Sequence, residues 1–533
     1  MKPLSPQHII FFVFTMTMLL TIPSQTVKLP DHPSHGPHDG GTLVWGTINP
    51  PTIINPVLTS HSVSSSLLGL LFDSLVRIDQ HGSIVPDLAQ SWSVSSDGLE
   101  YIFHLQAHVY FHDGPELTAE DVKFTYESIQ DPSNQSYWRS ELELVSHWDI
   151  IDRYTLRVTL KKTFPGFLLR LAPGILPKHL YEHTDLLTNP HNEAPVGTGP
   201  FRFVSWDKAS HQIILQANQD YFEGRPFLDK IIVKSYEDNT ALWGALMRQE
   251  VDFVKFLNYQ DYKILSKDTV FKTYQVPAGL YFALVYDSHD PILFDRELRG
   301  ALNYAIDRRA LMEAAQINGV ESNGPFYPAS TWSNPTVERS SYNPVKARLM
   351  LAWRGWDKGP DGILRKGGQP LILTMLVDRN RLYYRQMARV LRQQFSEIGV
   401  ALKIIFYDDE NQLTPKYLEE VKPQIWLRMF VGNSCDPSII VSNWYSTSSM
   451  FGHLWTYQNA SIDQLFEKGR GLHDSKQRID IYRQIHALIY GDQPACFLFF
   501  FESNYAVAAK VQNSQNLFNM YMPDYLIKDW YIN

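Results

Sequence analysis

The sequence predicts an α/β protein of about three domains. Strand and helix signals alternate along the chain, and 533 residues exceed what one hydrophobic core fills at roughly 100–200 residues per domain. The clearest unit runs from Pro195 to Val254. In it Pro195-Val196-Gly197-Thr198-Gly199-Pro200 makes a tight turn into the alternating Phe201-Arg202-Phe203. A second strand (Gln212 to Gln216), a polar and aromatic turn (Asn218 to Pro226), a third strand (Leu228 to Lys234) and a helix (Asn239 to Gln249) then lead into Val251-Asp252-Phe253-Val254. A sheet-and-helix unit in mid-chain is one to which the flanking segments must be attached.

Composition excludes some classes. Apolar residues at 44% and charged residues at 20% are those of a globular protein, and a formal charge of -8 gives no reason to expect nucleic acid as a partner. The 28 Tyr, 29 Phe and 13 Trp suit both core packing and the lining of a pocket. Cys435 and Cys496 permit one disulfide but have no zinc spacing, and spacing leaves their pairing open. At the start, Lys2 precedes the uncharged run Ile9 to Ile22, whose length suits a signal peptide over residues 1–26, with an uncleaved anchor as the alternative. No cysteine follows that run to carry a lipid. His32, His35 and His38 lie on a Pro/Gly segment, read as a solvated tail against capture of a borderline metal.

The remaining elements follow in order. Gly40 to Gly46 is a short strand, and Ser64 to Leu75 a helix with Leu67, Leu68, Leu71 and Leu75 on one side. Ser96-Asp97-Gly98 turns into the alternating Tyr101 to Leu105, and Thr118 is placed to cap a helix whose first turn holds Glu120 and Asp121. His104, His108 and His112 would share a face only on a helix; on strand and turn they form no metal cluster. Tyr154 to Leu160 is an alternating strand, Leu280 to Tyr286 a buried one, and Asp295 to Ala315 a single helix. Asp357 and Asp361 lack the order of a calcium loop and mark a turn. Leu371 to Ile405 reads strand, helix, strand, with Arg385, Arg389 and Arg392 as a solvated stripe opposite Met387, Leu391 and Phe395. Ala495 to Phe501 is too apolar for an exposed edge and is a buried strand. No Gly-x-Ser-x-Gly elbow, His-Glu-x-x-His helix or phosphate loop is present, so no catalytic residue, metal ligand or cofactor is expected.

The Pro195 to Val254 unit, the stretch from Pro86 to Phe124, Pro173 to Leu180 and the run Arg299-Gly300-Ala301-Leu302-Asn303-Tyr304-Ala305-Ile306-Asp307-Arg308 follow one another in a familiar order. Over about residues 40–510 this order resembles the family 5 solute-binding proteins of ABC importers, which includes oligopeptide-, dipeptide- and nickel-binding proteins. The resemblance implies a type II periplasmic binding protein fold, two lobes with a hinge plus an inserted extra domain. It divides the chain into domain I (40–60, 195–278 and 500–533), an inserted domain II (61–194) and domain III (279–499). It implies a periplasmic monomer that captures a peptide and hands it to a permease in the inner membrane, with a nickel or metal-chelate binder, or a sensor or chaperone, as rival readings.

The resemblance also points to the ligand site. Peptide-binding relatives carry a tryptophan and an aspartate, three residues apart, before a proline like Pro437, and the aspartate holds the peptide's amino terminus. Those positions are Phe430 and Asn433 here, and asparagine carries no charge. Asp436 either substitutes for the missing carboxylate or forms the turn. Tyr137 and Trp138 either touch ligand or pack under a loop, and Gly279 and Tyr281 complete the expected ligand-binding set.

Overall fold

Short runs rich in β-branched and aromatic residues build one mixed sheet of 11 strands. The computed structural model describes residues 37–533 except 49, 60–61, 80–82, 165, 339, 433–435, 445, 447–456, 473–474 and 517–523. Residues 39–533 form one unit and residues 1–38 another. Half of the sheet is made by β1 (Thr42–Thr47), β2 (Phe201–Asp207), β3 (Gln212–Ala217), β4 (Lys230–Ser235) and β5 (Phe253–Leu257). From there β6 (Phe271–Tyr286) runs into a second half holding β7 (Asn318–Glu321), β8 (Ile372–Asp378), β9 (Ala401–Tyr407) and β10 (Ile425–Val431), and β11 (Ala495–Ala508) runs back. The order across the sheet is β9-β8-β10-β6-β11-β5-β1-β4-β3-β2, with β7 beside β11.

The apolar cores divide where these two long strands cross. One core draws on Leu43 to Val276 and again on Tyr505 to Trp530. Two others lie on opposite faces of the second half: Phe282 and Leu284 enter one, Tyr281, Ala283 and Val285 the other, as the two-residue period of a strand requires. Two lobes result, and among the described residues the chain passes between them in β6 and β11. At the crossing Pro277 faces Glu502 and Tyr281 faces Phe500, so β6 carries Ala278, Gly279 and Leu280 opposite Phe501 alone. Gly279 has φ +71°, a conformation that side chains with a Cβ rarely adopt. Such a bulge interrupts the ladder and bends the strand.

A separate antiparallel sheet, in the order Ala89–Val94, Glu100–Leu105, Thr155–Leu160, Val145–Asp152, belongs to the first lobe. The helix Ala119–Gln130 covers it, with Tyr126 stacked on Trp148 at 4.6 Å. Thr118 caps this helix as its sequence suggests: its Oγ1 accepts from the Glu120 N–H at 3.3 Å, and Asp121 accepts from the Thr118 N–H at 2.9 Å.

Two elements differ from their sequence patterns. The helix over Leu67 and Leu71 is Ser62–Leu71 and stops early, because the Leu71 carbonyl turns to accept the Gly199 N–H at 3.0 Å. The run Asp295 to Ala315 is two helices, Arg296–Tyr304 and Arg308–Ala315, since the Asp307 carboxylate accepts from the N–H groups of Arg309 (3.0 Å) and Ala310 (3.1 Å) and starts the second. Buried Asp73, one residue past Phe72, ties three segments together: Thr198 Oγ1 donates to it at 2.8 Å and the Tyr221 hydroxyl at 2.9 Å.

His112 Nδ1 accepts the Gly197 N–H at 3.3 Å and its Nε2 lies 3.0 Å from the Gly199 carbonyl, which makes it a structural residue. Among the described residues no group of three or more His, Cys, Asp or Glu is placed to hold a metal. His32 and His35 lie outside the described residues, as does Cys435. Cys496 is a free buried thiol, raised in pKa by burial, and Arg308 Nη2 donates to its sulfur at 3.3 Å. No helix among the described residues is long and apolar enough to cross a membrane.

Buried histidine gives a pH prediction. His486 is fully buried, its Nδ1 accepts the Asn334 N–H at 2.9 Å, and burial holds its pKa down at about 4. A folded-state value below the unfolded one means that the unfolded chain binds more protons, so the contribution is present above about pH 6.5 and lost as pH falls toward 4. Asp73 has the opposite sign, since burial raises it to about 6 and its contribution is lost as pH rises through that value. Urea unfolding of wild type against His486→Gln isolates the first: the difference between them is expected to change by about 2 kcal/mol from pH 7 to pH 5.

Candidate interlobe ligand site

Antiparallel pairing of β6 with β10 sets Tyr281 opposite Phe430, and residues opposite one another share a face. Their rings stack at 5.2 Å and 16°. Phe500 of β11 lies 5.2 Å from Tyr281, and Trp444 lies 5.9 Å from Phe430. Trp444 Nε1 donates to the Tyr281 hydroxyl at 3.1 Å, and burial holds that hydroxyl far above the usual range. Gly432 lets the cluster close, because a Cβ there would meet Tyr281 Cδ1 at 2.5 Å and Phe500 Cε1 at 2.6 Å. Its N–H donates to the Gly279 carbonyl at 2.8 Å, which links the end of β10 to the bulge between the lobes.

Asp436 follows this wall. Its Oδ1 accepts from the Ser438 N–H at 2.8 Å, starting the short helix Pro437–Val441, and from Arg478 Nη2 at 2.8 Å. The pair is dry, with side chains 2% and 11% exposed. Of the two roles the sequence leaves open, the turn is therefore present, and the charge of Asp436 is already met by Arg478. Across the gap the first lobe brings up Gly166, where a Cβ would fall 2.1 Å from Asp436 Oδ2. The two lobes touch at this point.

Glu502 sits at the crossing itself. It lies two residues beyond Phe500 on β11 and therefore on the same face, half-buried, with the Tyr327 hydroxyl 3.4 Å from its Oε1. Burial raises its pKa; Tyr262 in the first lobe is raised chiefly by its own burial, with the Glu502 charge adding to the rise. No cation among the described residues is paired with it.

Phe430, Tyr281 and Gly279 thus come together near the interlobe crossing, Asp436 instead meets Arg478 and Gly166, and Asn433 lies outside the described residues. Tyr137 and Trp138 stand apart from them. Tyr137 is 65% exposed and edge-on to Trp138 at 5.7 Å, and Trp138 packs against the first core. Three residues escaped the sequence reading. Arg478 stands in an unremarkable polar run, Ser475-Lys476-Gln477-Arg478, and Gly166 in a loop. Glu502 ends the aromatic run Phe497 to Phe501, and a charge closing so apolar a strand was the one available signal.

The model of the bacterial extracellular solute-binding proteins, family 5, matches residues 83–452. The chain belongs to that family. Among curated relatives of this family 5 protein, the oligopeptide-binding protein AppA of Bacillus subtilis is 29% identical over 493 residues, 89% of each chain. The heme-binding protein A of Haemophilus influenzae is 28% identical over 484 residues, 85% of this chain and 86% of that one. The structure of NikZ from Campylobacter jejuni in complex with Ni(L-His) matches with TM-score 0.68 and 26% identity, covering 92% of this chain and 99% of that one. The fold is that of the type II periplasmic binding proteins, mixed α/β with two lobes.

Proposed function

We propose that this family 5 protein is the substrate-binding component of an ABC importer, capturing a peptide between its lobes and delivering it to a permease in the inner membrane. It works in the periplasm as a monomer, brought there by its leader, and carries out no reaction of its own. The observation that supports this most is the crossing: β6 and β11 carry the described chain between the lobes, and their pairing is interrupted at the β6 bulge and again between Phe282 and Ala283. A hinge there opens and closes the gap between Gly166 and Asp436. Closure follows ligand only if the closed state binds it more tightly, since equal affinity shifts nothing. The first lobe is domain I (40–60, 195–278, 500–533) carrying the insert 61–194, and 279–499 is the second. Tyr281 and Phe430, buried in the second lobe, back the site, Gly279 is the hinge residue, and exposed Tyr137, with Trp138 packed behind it, reaches the ligand from the first lobe when it closes.

The ligand's amino terminus goes to Glu502. Asn433 is neutral and Asp436 is answered by Arg478, whereas Glu502 is a half-buried carboxylate with no cation paired to it among the described residues, and such a group is stabilised by an ammonium. Calorimetric titration with a peptide pool and its N-acetylated counterpart tests this. Free-amine peptides are expected to bind more tightly, and Glu502→Gln to cost them about 2 kcal/mol, roughly 30-fold, without affecting the acetylated pool. An unchanged affinity in Glu502→Gln removes Glu502 from the site, and no binding of either pool defeats the peptide reading.

A further inference from the structure

The helix Pro344–Trp353 buries Ala347 and Leu351 and turns Val345, Leu349 and Trp353 outward. Spaced four residues apart, these three form one stripe along the helix. Trp353 is 82% exposed. Arg354 Nε donates to the Asp295 carboxylate at 2.6 Å, which brings Phe294, itself 75% exposed, to the Trp353 end of the stripe. Single exposed apolar side chains are ordinary, but four in one patch mark a contact surface.

Charge indicates what it contacts. The whole chain carries -8, yet this stripe is bordered by Arg296, Lys346, Arg348 and Arg354. Asp295 and Glu297 answer Arg354 and Arg296, but Lys346 lies 3.8 Å over the Tyr304 ring and Arg348 donates to the Glu397 carbonyl at 3.3 Å, and among the described residues neither is ion-paired with a carboxylate. Between this helix and Arg296–Tyr304 runs a groove of about 680 Å³ whose lining includes Arg296, Lys346 and Arg354 together with Glu297, Tyr304 and Trp353. An apolar stripe ending in tryptophan with basic flanks is the composition of a helix that lies in a membrane interface. We infer that this face docks on an anionic phospholipid surface: Val345, Leu349, Trp353 and Phe294 enter the boundary between headgroups and acyl chains, and Lys346 and Arg348 meet lipid phosphates. Docking of this kind keeps the protein near the membrane independently of which solute it holds.

The test is co-sedimentation of the full-length protein with vesicles of phosphatidylcholine alone and of phosphatidylcholine with phosphatidylglycerol, at low and high salt. Binding is expected on the anionic vesicles only and to weaken with salt. It is expected to fall about tenfold in the double variant Leu349→Asp, Trp353→Ser and roughly fivefold in each of Lys346→Gln and Arg348→Gln. All four positions are exposed, so folding and peptide affinity stay as in wild type. Equal binding of the variants, or equal binding to neutral vesicles, overturns the inference. Loss of import in the double variant with vesicle binding intact assigns the face to a protein partner and overturns it equally.

Discussion

Arg478→Met is expected to lower the unfolding free energy by about 3–5 kcal/mol, measured by urea denaturation. The substitution leaves the Asp436 carboxylate, 2% exposed, without the cation 2.8 Å away. A buried charge stripped of its partner costs far more than the pair contributes, because the desolvation cost of the survivor is no longer offset. Asp436→Asn combined with Arg478→Met is therefore expected to be more stable than Arg478→Met alone, since it removes the stranded charge. The exposed pair Lys208–Glu193, at 2.6 Å, is the control, and Lys208→Met should change stability by no more than about 0.5 kcal/mol. A similar loss at both pairs would mean that solvent reaches Asp436.

Gly197→Ala is expected to destabilise the first lobe by about 3 kcal/mol or more, read by the same denaturation. A Cβ at Gly197 would lie 2.0 Å from the Leu71 carbonyl oxygen, and one at Gly199 2.5 Å from the Leu71 carbonyl carbon. Both obstacles are backbone, so no side chain can rotate away, and the helix end Ser62–Leu71 must shift with its hydrogen bond to Gly199. Gly224 is the contrast. It has φ +99° but open space around it, so Gly224→Ala costs only the backbone strain, about 1 kcal/mol. If the two substitutions cost the same, close approach is not what requires glycine at position 197.

These two cases show what could be read from sequence and what could not. Strand signals were legible wherever apolar residues alternate, as in Tyr101 to Leu105 and Leu280 to Tyr286, because the two-residue period is a property of the strand itself. The cap at Thr118 was legible for the same reason: its partners are two and three residues away. Gly197-Thr198-Gly199 was recognised as a turn, yet neither glycine has a left-handed φ, and the reason for both is Leu71, more than a hundred residues earlier. The break at Asp307 was missed because its capping competes with a strong helical pattern on both sides. At the candidate site, Phe430 and Tyr281 were singled out through the resemblance, and the stacking of their rings follows from strand pairing. Arg478 and Gly166 were not, since each acquires its role only when distant segments meet at Asp436.

Small-angle X-ray scattering of the protein titrated with a free-amine peptide pool tests the hinge most directly. A fall in the radius of gyration is expected, saturating at the concentration where calorimetry shows the sites filled, as the lobes rotate about the β6 bulge and β11. An unchanged radius while calorimetry reports saturable binding would contradict closure between the lobes and place the ligand elsewhere.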